Sequence, residues 1–260
     1  MPEAIRHVEH VMGTAVTFDI RSGSSPAVTE ALAEAVAWLH HVDHVFSPYR
    51  PGSQVSRLAE GRLTVGECDA EVADVLHRCR VLERLTRGAF TCRPGGRLDP
   101  SGLVKGWAVE RASTILHEAG VLDHCVNGGG DIQARGEAGP GRPWQIGLTD
   151  PHHRDRLIAA VTGHDLAVAT SGTTERGAHI IDPRTGRPAT DLASITLVGR
   201  HLTDVDALAT AAFAMGGAAR TWVEAHPGIE ALAVASDGST WCTSGFGDVA
   251  LAVSQPGSGL

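Results

Sequence analysis

A chain of 260 residues, 42% hydrophobic and 20% charged, can bury a substantial core and lacks the composition of a disordered protein. Its formal net charge of −8, with no Lys/Arg cluster, argues against nucleic-acid binding through phosphate contacts. No apolar run approaches the roughly 20 residues of a membrane helix, so no membrane insertion is expected. The start, MPEAIRHVEHVMGT, lacks the basic and apolar regions of an export signal. Cys68, Cys79, Cys92, Cys125 and Cys242 are widely spaced, odd in number and free of C-x-x-C pairs. That disfavours a disulfide framework or a zinc site and fits a reducing cytoplasm.

In chain order, His7 to Ile20 alternates apolar and polar residues around Met12-Gly13-Thr14 and reads as strand. Residues 27–46 place Val28, Leu32, Ala35, Leu39, Val42 and Phe46 at helical spacing, and Ser47-Pro48 stops that helix. His40, His41 and His44 on it are expected at the surface, because no carboxylate completes an H-E-x-x-H arrangement. A second amphipathic helix spans 69–87, with Gly88 at the C-terminal cap position. A third runs from about Gly102 to Ala119, with Ser101 as its expected N-cap. The free N–H groups at its start attract anions, and Lys105 adds a positive charge one turn in, or simply points to solvent.

From Asp123 to Gly199 the texture changes to short β-rich runs: 123–127, 143–148, 157–162, 166–169, 178–181 and 193–198. After the first comes Asn127-Gly128-Gly129-Gly130-Asp131. Its glycines permit either a tight bulged turn or close approach of backbone N–H groups to a phosphate. Thr170-Ser171-Gly172-Thr173 is a hydroxyl-rich turn. His179, on a strand before Asp182-Pro183-Arg184-Thr185-Gly186, is either a packing residue or a general base with Asp182 nearby. A helix is expected from Asp204 to Ala225, then strands near 230–235, 240–244 and 248–253. On that helix Asp206 and Thr210 lie four apart and share a face. They can form part of an oxygen shell for Mg²⁺, or merely serve the helix dipole and backbone. Helices early and strands late, without βαβ alternation, predict an α+β fold. No linker divides the chain, so one domain is expected over residues 1–253 with a loose tail over 254–260.

Taken together and in order, these segments resemble the FAD:protein FMN transferases, the ApbE-type flavin transferase family. The matching stretches are MGT at 12–14, FSPYRPGSQVSRL at 46–58, TRGAF at 86–90, LDPSGLVKGWAVERA at 98–112, NGGGDI at 127–132, ATSGTTERGAHIIDPRTGRPA at 169–189 and TDVDALATAAFAMG at 203–216. The resemblance implies an α+β unit that transfers FMN from FAD to a Thr/Ser hydroxyl of an acceptor flavoprotein. It implies Mg²⁺ ligands at Asp206, Thr210 and the Gly102 carbonyl. It implies flavin-nucleotide contacts from Met12, Tyr49, Lys105, Asn127, Gly128, Gly129, Gly130, Asp131 and Ser171. His179 matches the family's base toward the acceptor hydroxyl, with Asp182 as its catalytic companion. The chain departs from the family in a shorter segment between Phe90 and Leu98, in Thr91 where an Asp is usual, and in its lack of an export signal, which implies a cytoplasmic location. A Mg²⁺-dependent FAD pyrophosphatase and a non-catalytic FAD-binding protein remain the alternative readings.

Overall fold

The computed structural model describes residues 4–173 and 180–251. The N-terminal segment folds as a hairpin rather than one strand. β1 (Ile5–Val11) and β2 (Thr14–Ile20) pair antiparallel across a two-residue turn at Met12-Gly13. Both turn residues have positive φ, 55° and 71°, the backbone that a tight hairpin turn matching strand twist requires. Helix α1 (Pro26–Phe46) starts at Ser25, whose side chain accepts from the Val28 N–H, and ends at extended Ser47 before Pro48. Its buried stripe is Val28, Ala31, Ala35, Leu39, Val42, Val45 and Phe46. Helix α2 (Gln54–Ala59) is short, and the sequence reading missed it. Helix α3 (Ala70–Leu85) closes through Arg87 and Gly88 at positive φ. Helix α4 (Ser101–Glu118) begins one residue earlier than expected. Ser101 is not its N-cap; the Asp99 carboxylate accepts from the Ser101 N–H and hydroxyl instead.

The remaining elements are β3 (His124–Gly128), β4 (Asp131–Arg135), β5 (Trp144–Thr149), β6 (Leu157–Gly163), β7 (Leu166–Gly172), β8 (Ile181–Asp182), β9 (Arg187–Pro188), β10 (Leu192–Gly199), α5 (Leu202–Met215), α6 (Ala219–Glu224), β11 (Glu230–Ala235), β12 (Thr240–Cys242), α7 (Phe246–Val249) and β13 (Ala250–Leu251). The helix expected over 204–225 is divided at Gly216, whose φ of 57° and ψ of −125° cannot continue a helix. The strand expected from 248 opens as the short α7. The tail at 254–260 lies outside the described residues.

Eight strands form one sheet in the order β1-β2-β3-β4-β7-β10-β11-β12, every neighbouring pair antiparallel. A second sheet, β13-β6-β5, covers part of one face. The period of two along central strands assigns residues to the two sides. Ala167 and Ala169 of β7 join the core under the helices, while Leu166 and Val168 join the core beneath the small sheet. Small residues on the helix side let α5 lie close to β7 and β10. Among the described residues no helix is long and apolar enough to cross a membrane. The architecture is α+β, as expected.

Buried His124 makes the fold acid-sensitive. Its ring bonds the Val121 carbonyl and the Ser113 hydroxyl, each at 2.8 Å, and burial holds its pKa down to about 4. An unfolded His titrates near 6.5. Between those values the unfolded chain binds more protons, so stability falls as pH drops from about 6.5 to about 4 and levels off below. The expected loss from this residue is about 3 kcal/mol across the window. Thermal unfolding at pH 7.5 and 4.5, compared between wild type and His124→Gln, measures it; equal pH slopes would contradict the assignment.

Candidate active site

The site grows from the crossing of α4 and α5. Gly106 allows it: a Cβ there would stand 2.6 Å from the Leu202 carbonyl oxygen and 2.7 Å from the Asp206 Cβ. At this separation the Gly106 N–H donates to Asp206 Oδ2 at 2.9 Å. In a regular helix that N–H serves the carbonyl four residues back, which is Gly102. Gly102 therefore shares its usual donor with Asp206. Helix α5 is held in register at its start by two residues the sequence reading did not single out. Gln133 Oε1 accepts from the Leu202 N–H at 3.0 Å, and Glu110 accepts from the Thr203 N–H at 2.8 Å. Their roles depend on partners 69 and 93 positions away, so no local pattern announces them.

Along α5 every residue is buried except Asp204 and Thr210. Half-buried Thr210 faces the sheet end. Its hydroxyl lies 3.5 Å from Ser171 Oγ and 3.3 Å from the Asp206 carbonyl. A Cβ on Gly102 would come within 4.0 Å of the Thr210 methyl. Gly102, Asp206, Thr210 and Ser171 are thus gathered from two helices and one strand.

Lys105 completes this group. Its ammonium pairs with Asp131 and lies 3.7 Å from Asp206 Oδ1. Asp131 Oδ1 also accepts from the Thr170 N–H at 3.1 Å. Two carboxylates, 2% and 4% exposed, therefore flank one ammonium. Burial, reinforced by the Asp131 charge, raises the Asp206 pKa to about 7, against the opposing pull of Lys105. A buried carboxylate so disposed gains from an added cation.

The NGGGD segment is a two-residue hairpin turn, not a bulge: Gly128 and Asp131 pair directly, with Gly129 and Gly130 at positive φ. Asn127 Oδ1 accepts from the Gly130 N–H at 2.8 Å and closes the turn. Gly129 packs so tightly on the first hairpin that a Cβ would meet Thr14 Oγ1 at 2.5 Å. The Met12-Gly13 turn and the glycine turn therefore sit side by side. Ser171, expected in a turn, lies in β7 instead, because that strand continues to Gly172 alongside β10.

The other motifs are mostly scaffolding. Buried Ser53 and Ser56 both donate to the Ser47 carbonyl, at 2.7 and 3.2 Å. They tie down the loop that presents Tyr49, which is 86% exposed. Thr86 donates to the Leu82 carbonyl and accepts from the Phe90 N–H. This seats the Phe90 ring 3.3 Å from where a Gly102 Cβ would be. The Asp182 carboxylate accepts from Arg184 Nε at 2.8 Å and from its backbone N–H at 3.0 Å, and Arg184 also reaches the Ala214 carbonyl. Arg184 holds the Asp182 carboxyl below the usual carboxylate range. His179 lies outside the described residues. At the surface, His41 bonds Glu71 at 2.8 Å and His40 bonds Glu9 at 3.0 Å.

This geometry can be set beside known proteins. The family model described as "ApbE family" matches residues 12–95 and 91–233, the two parts meeting in the short segment between Phe90 and Leu98. A FAD:protein FMN transferase of Rhodobacter capsulatus is 33% identical over 187 residues, covering 67% of this chain and 36% of that protein. One from Treponema pallidum is 33% identical over 173 residues, covering 59% of this chain and 48% of that protein. The matched region thus spans less than half the length of these curated relatives. Among solved structures, the ApbE protein of Thermotoga maritima overlays with a TM-score of 0.84 at 25% identity, covering 95% of this chain and 99% of that one. The Vibrio cholerae flavin transferase ApbE gives 0.82 at 24% identity, covering 96% and 100%. A family model spanning most of the sequence, on a fold that superposes over nearly all of it, shows that this chain belongs to the ApbE family.

Proposed function

We propose that the chain transfers the FMN half of FAD to a Ser or Thr hydroxyl of an acceptor protein, with Mg²⁺ bound at Gly102, Asp206 and Thr210, and releases AMP. The carrying observation is the convergence of these three with Lys105 and Ser171 at one end of the sheet. Carboxylate, hydroxyl and carbonyl are all hard oxygen donors, the set Mg²⁺ selects while keeping positions open for phosphate oxygens. The ion, when bound, supplies neutralisation of diphosphate charge.

In the reaction the acceptor oxygen forms a bond to the FMN phosphorus, and the bond from that phosphorus to the bridging oxygen breaks, freeing AMP. His179 accepts the hydroxyl proton. Asp182, whose carboxylate is engaged by Arg184, is assigned to anchoring the turn that follows His179 rather than to proton transfer. Lys105 presents its ammonium to the diphosphate. Exposed Tyr49 and partly buried Met12 offer flat and flexible apolar surface for the flavin. Asn127, Gly128, Gly129 and Gly130 shape the wall beside it, and Asp131 stands behind them, paired with Lys105. Little covalent work falls to the protein; positioning and electrostatics carry the step.

Incubation with FAD, Mg²⁺ and an acceptor domain bearing a target Ser or Thr should give a flavin-fluorescent band that survives denaturing electrophoresis, with AMP released in equal amount. A chelator should abolish both, and added Mg²⁺ should restore them. FMN and AMP without protein-bound flavin would instead identify a pyrophosphatase. FAD binding with no AMP at all would identify a binding protein.

A further inference from the structure

Lys105 is the only lysine in a chain whose other basic residues, of 22 in all, are arginine. A chain so biased toward arginine keeps one lysine beside two buried carboxylates. The ammonium is a compact point charge on a flexible stem, whereas a guanidinium is a broad planar fork. Between Asp131 and Asp206 a point charge fits where a fork would clamp one carboxylate. A flexible stem also needs something to hold it.

We propose that Asp131 is a positioning residue that acts through Lys105, parking the ammonium beside Asp206 and toward the open end of the site without touching the nucleotide itself. This rests on the flavin-transfer reading above. Asp131 is 2% exposed, whereas the Lys105 side chain is 34% exposed, so the lysine and not the aspartate can meet a ligand. Asp131 cannot swing freely. The last backbone pair between β4 and β7 joins Ile132 to Val168. Just beyond it the Asp131 carboxylate takes the Thr170 N–H, continuing the ladder with a side chain. Its other oxygen is thereby aimed at Lys105. The next residue of β7, Ser171, is the one that meets Thr210, so the same contact ties the lysine to the strand end facing the metal residues.

The test is a double-mutant cycle read as FAD affinity by flavin fluorescence in the presence of Mg²⁺. Asp131→Asn keeps the shape and an acceptor for Thr170 but drops the charge. It should weaken FAD binding about tenfold, the loss of one charge-assisted contact. Lys105→Met should do the same, and the double variant should be no worse than Lys105→Met alone. Multiplying losses would show that Asp131 acts independently and would overturn the proposal. A second readout uses the single lysine. Protein labelled with ¹⁵N-lysine should give one side-chain ammonium signal, protected from exchange in wild type and lost in Asp131→Asn. An unchanged signal overturns the proposal as well. Should Asp131→Asn not fold, Asp131→Glu keeps the charge but displaces the ammonium, and must shift both the signal and FAD affinity. Absence of flavin transfer in wild type, with the cycle non-additive, would refute the transfer reading and leave the ion-pair assignment standing.

Discussion

Asp206→Ala should lose flavin transfer by at least about a thousandfold, the scale on which removal of a preorganised electrostatic group acts at a reacting phosphate. Asp206 supplies the only carboxylate of the proposed metal set. It is 4% exposed, so no solvent carboxylate or water readily replaces it. The variant also strands the Gly106 N–H, a buried donor whose lost partner costs about 1–3 kcal/mol. Asp206→Asn separates the two effects. It retains an acceptor for Gly106 and similar volume, so its melting temperature should stay near wild type, yet it removes the charge and should be as inactive as the alanine variant. AMP release and gel fluorescence measured across a Mg²⁺ titration check this. An asparagine variant that turns over normally with an unchanged Mg²⁺ requirement would remove Asp206 from the site.

The second large effect is expected at Gly106→Ala. In an exposed helix this change would stabilise by about 0.5–1 kcal/mol, because alanine loses less backbone entropy. Here the new methyl would lie 2.6 Å from the Leu202 carbonyl oxygen, 2.7 Å from Asp206 Cβ and 3.1 Å from Asp206 Oδ2. Two of these neighbours are backbone or near-backbone atoms of buried α5, which cannot swing aside. The helices must separate, at a cost of about 1–3 kcal/mol or more. The net sign is destabilising. Separation also lengthens the bond from the Gly106 N–H to Asp206 and spreads the metal residues, so activity should fall by more than the stability loss explains. Denaturant unfolding and FAD-dependent AMP release, measured on the same preparation at a temperature where the variant is folded, test both halves. A variant as stable and active as wild type would mean that the crossing is looser than these distances.

How far the sequence alone reached differs by element. The periodicity of residues 26–46, 70–85 and 101–118 revealed three helices to within one or two residues, because each buries one stripe and is bounded by Ser, Pro or Gly. Turn chemistry at Gly129-Gly130 was legible, whereas residues 7–20 read as one strand through Met12-Gly13. In the structure both segments form hairpin turns, so one expected strand is two, and β4 follows the glycine turn where no strand is expected. The expected long helix over 204–225 failed at Gly216, since an apolar Ala-rich run conceals a backbone break that Asp191 packs against.

From its residues the chain determined its own α+β character, the shared face of Asp206 and Thr210, and the motif order that marks the ApbE family. These are local or one-dimensional properties, set by spacing along the chain. Only the tertiary structure decided that Gly106 brings α4 and α5 together, that Gln133 and Glu110 hold α5 in register, and that Asp131 and Asp206 share one lysine. Those facts join residues 26 to 101 positions apart. Close packing and the burial of charge create such meetings in space, and nothing in the neighbouring sequence of either partner records them.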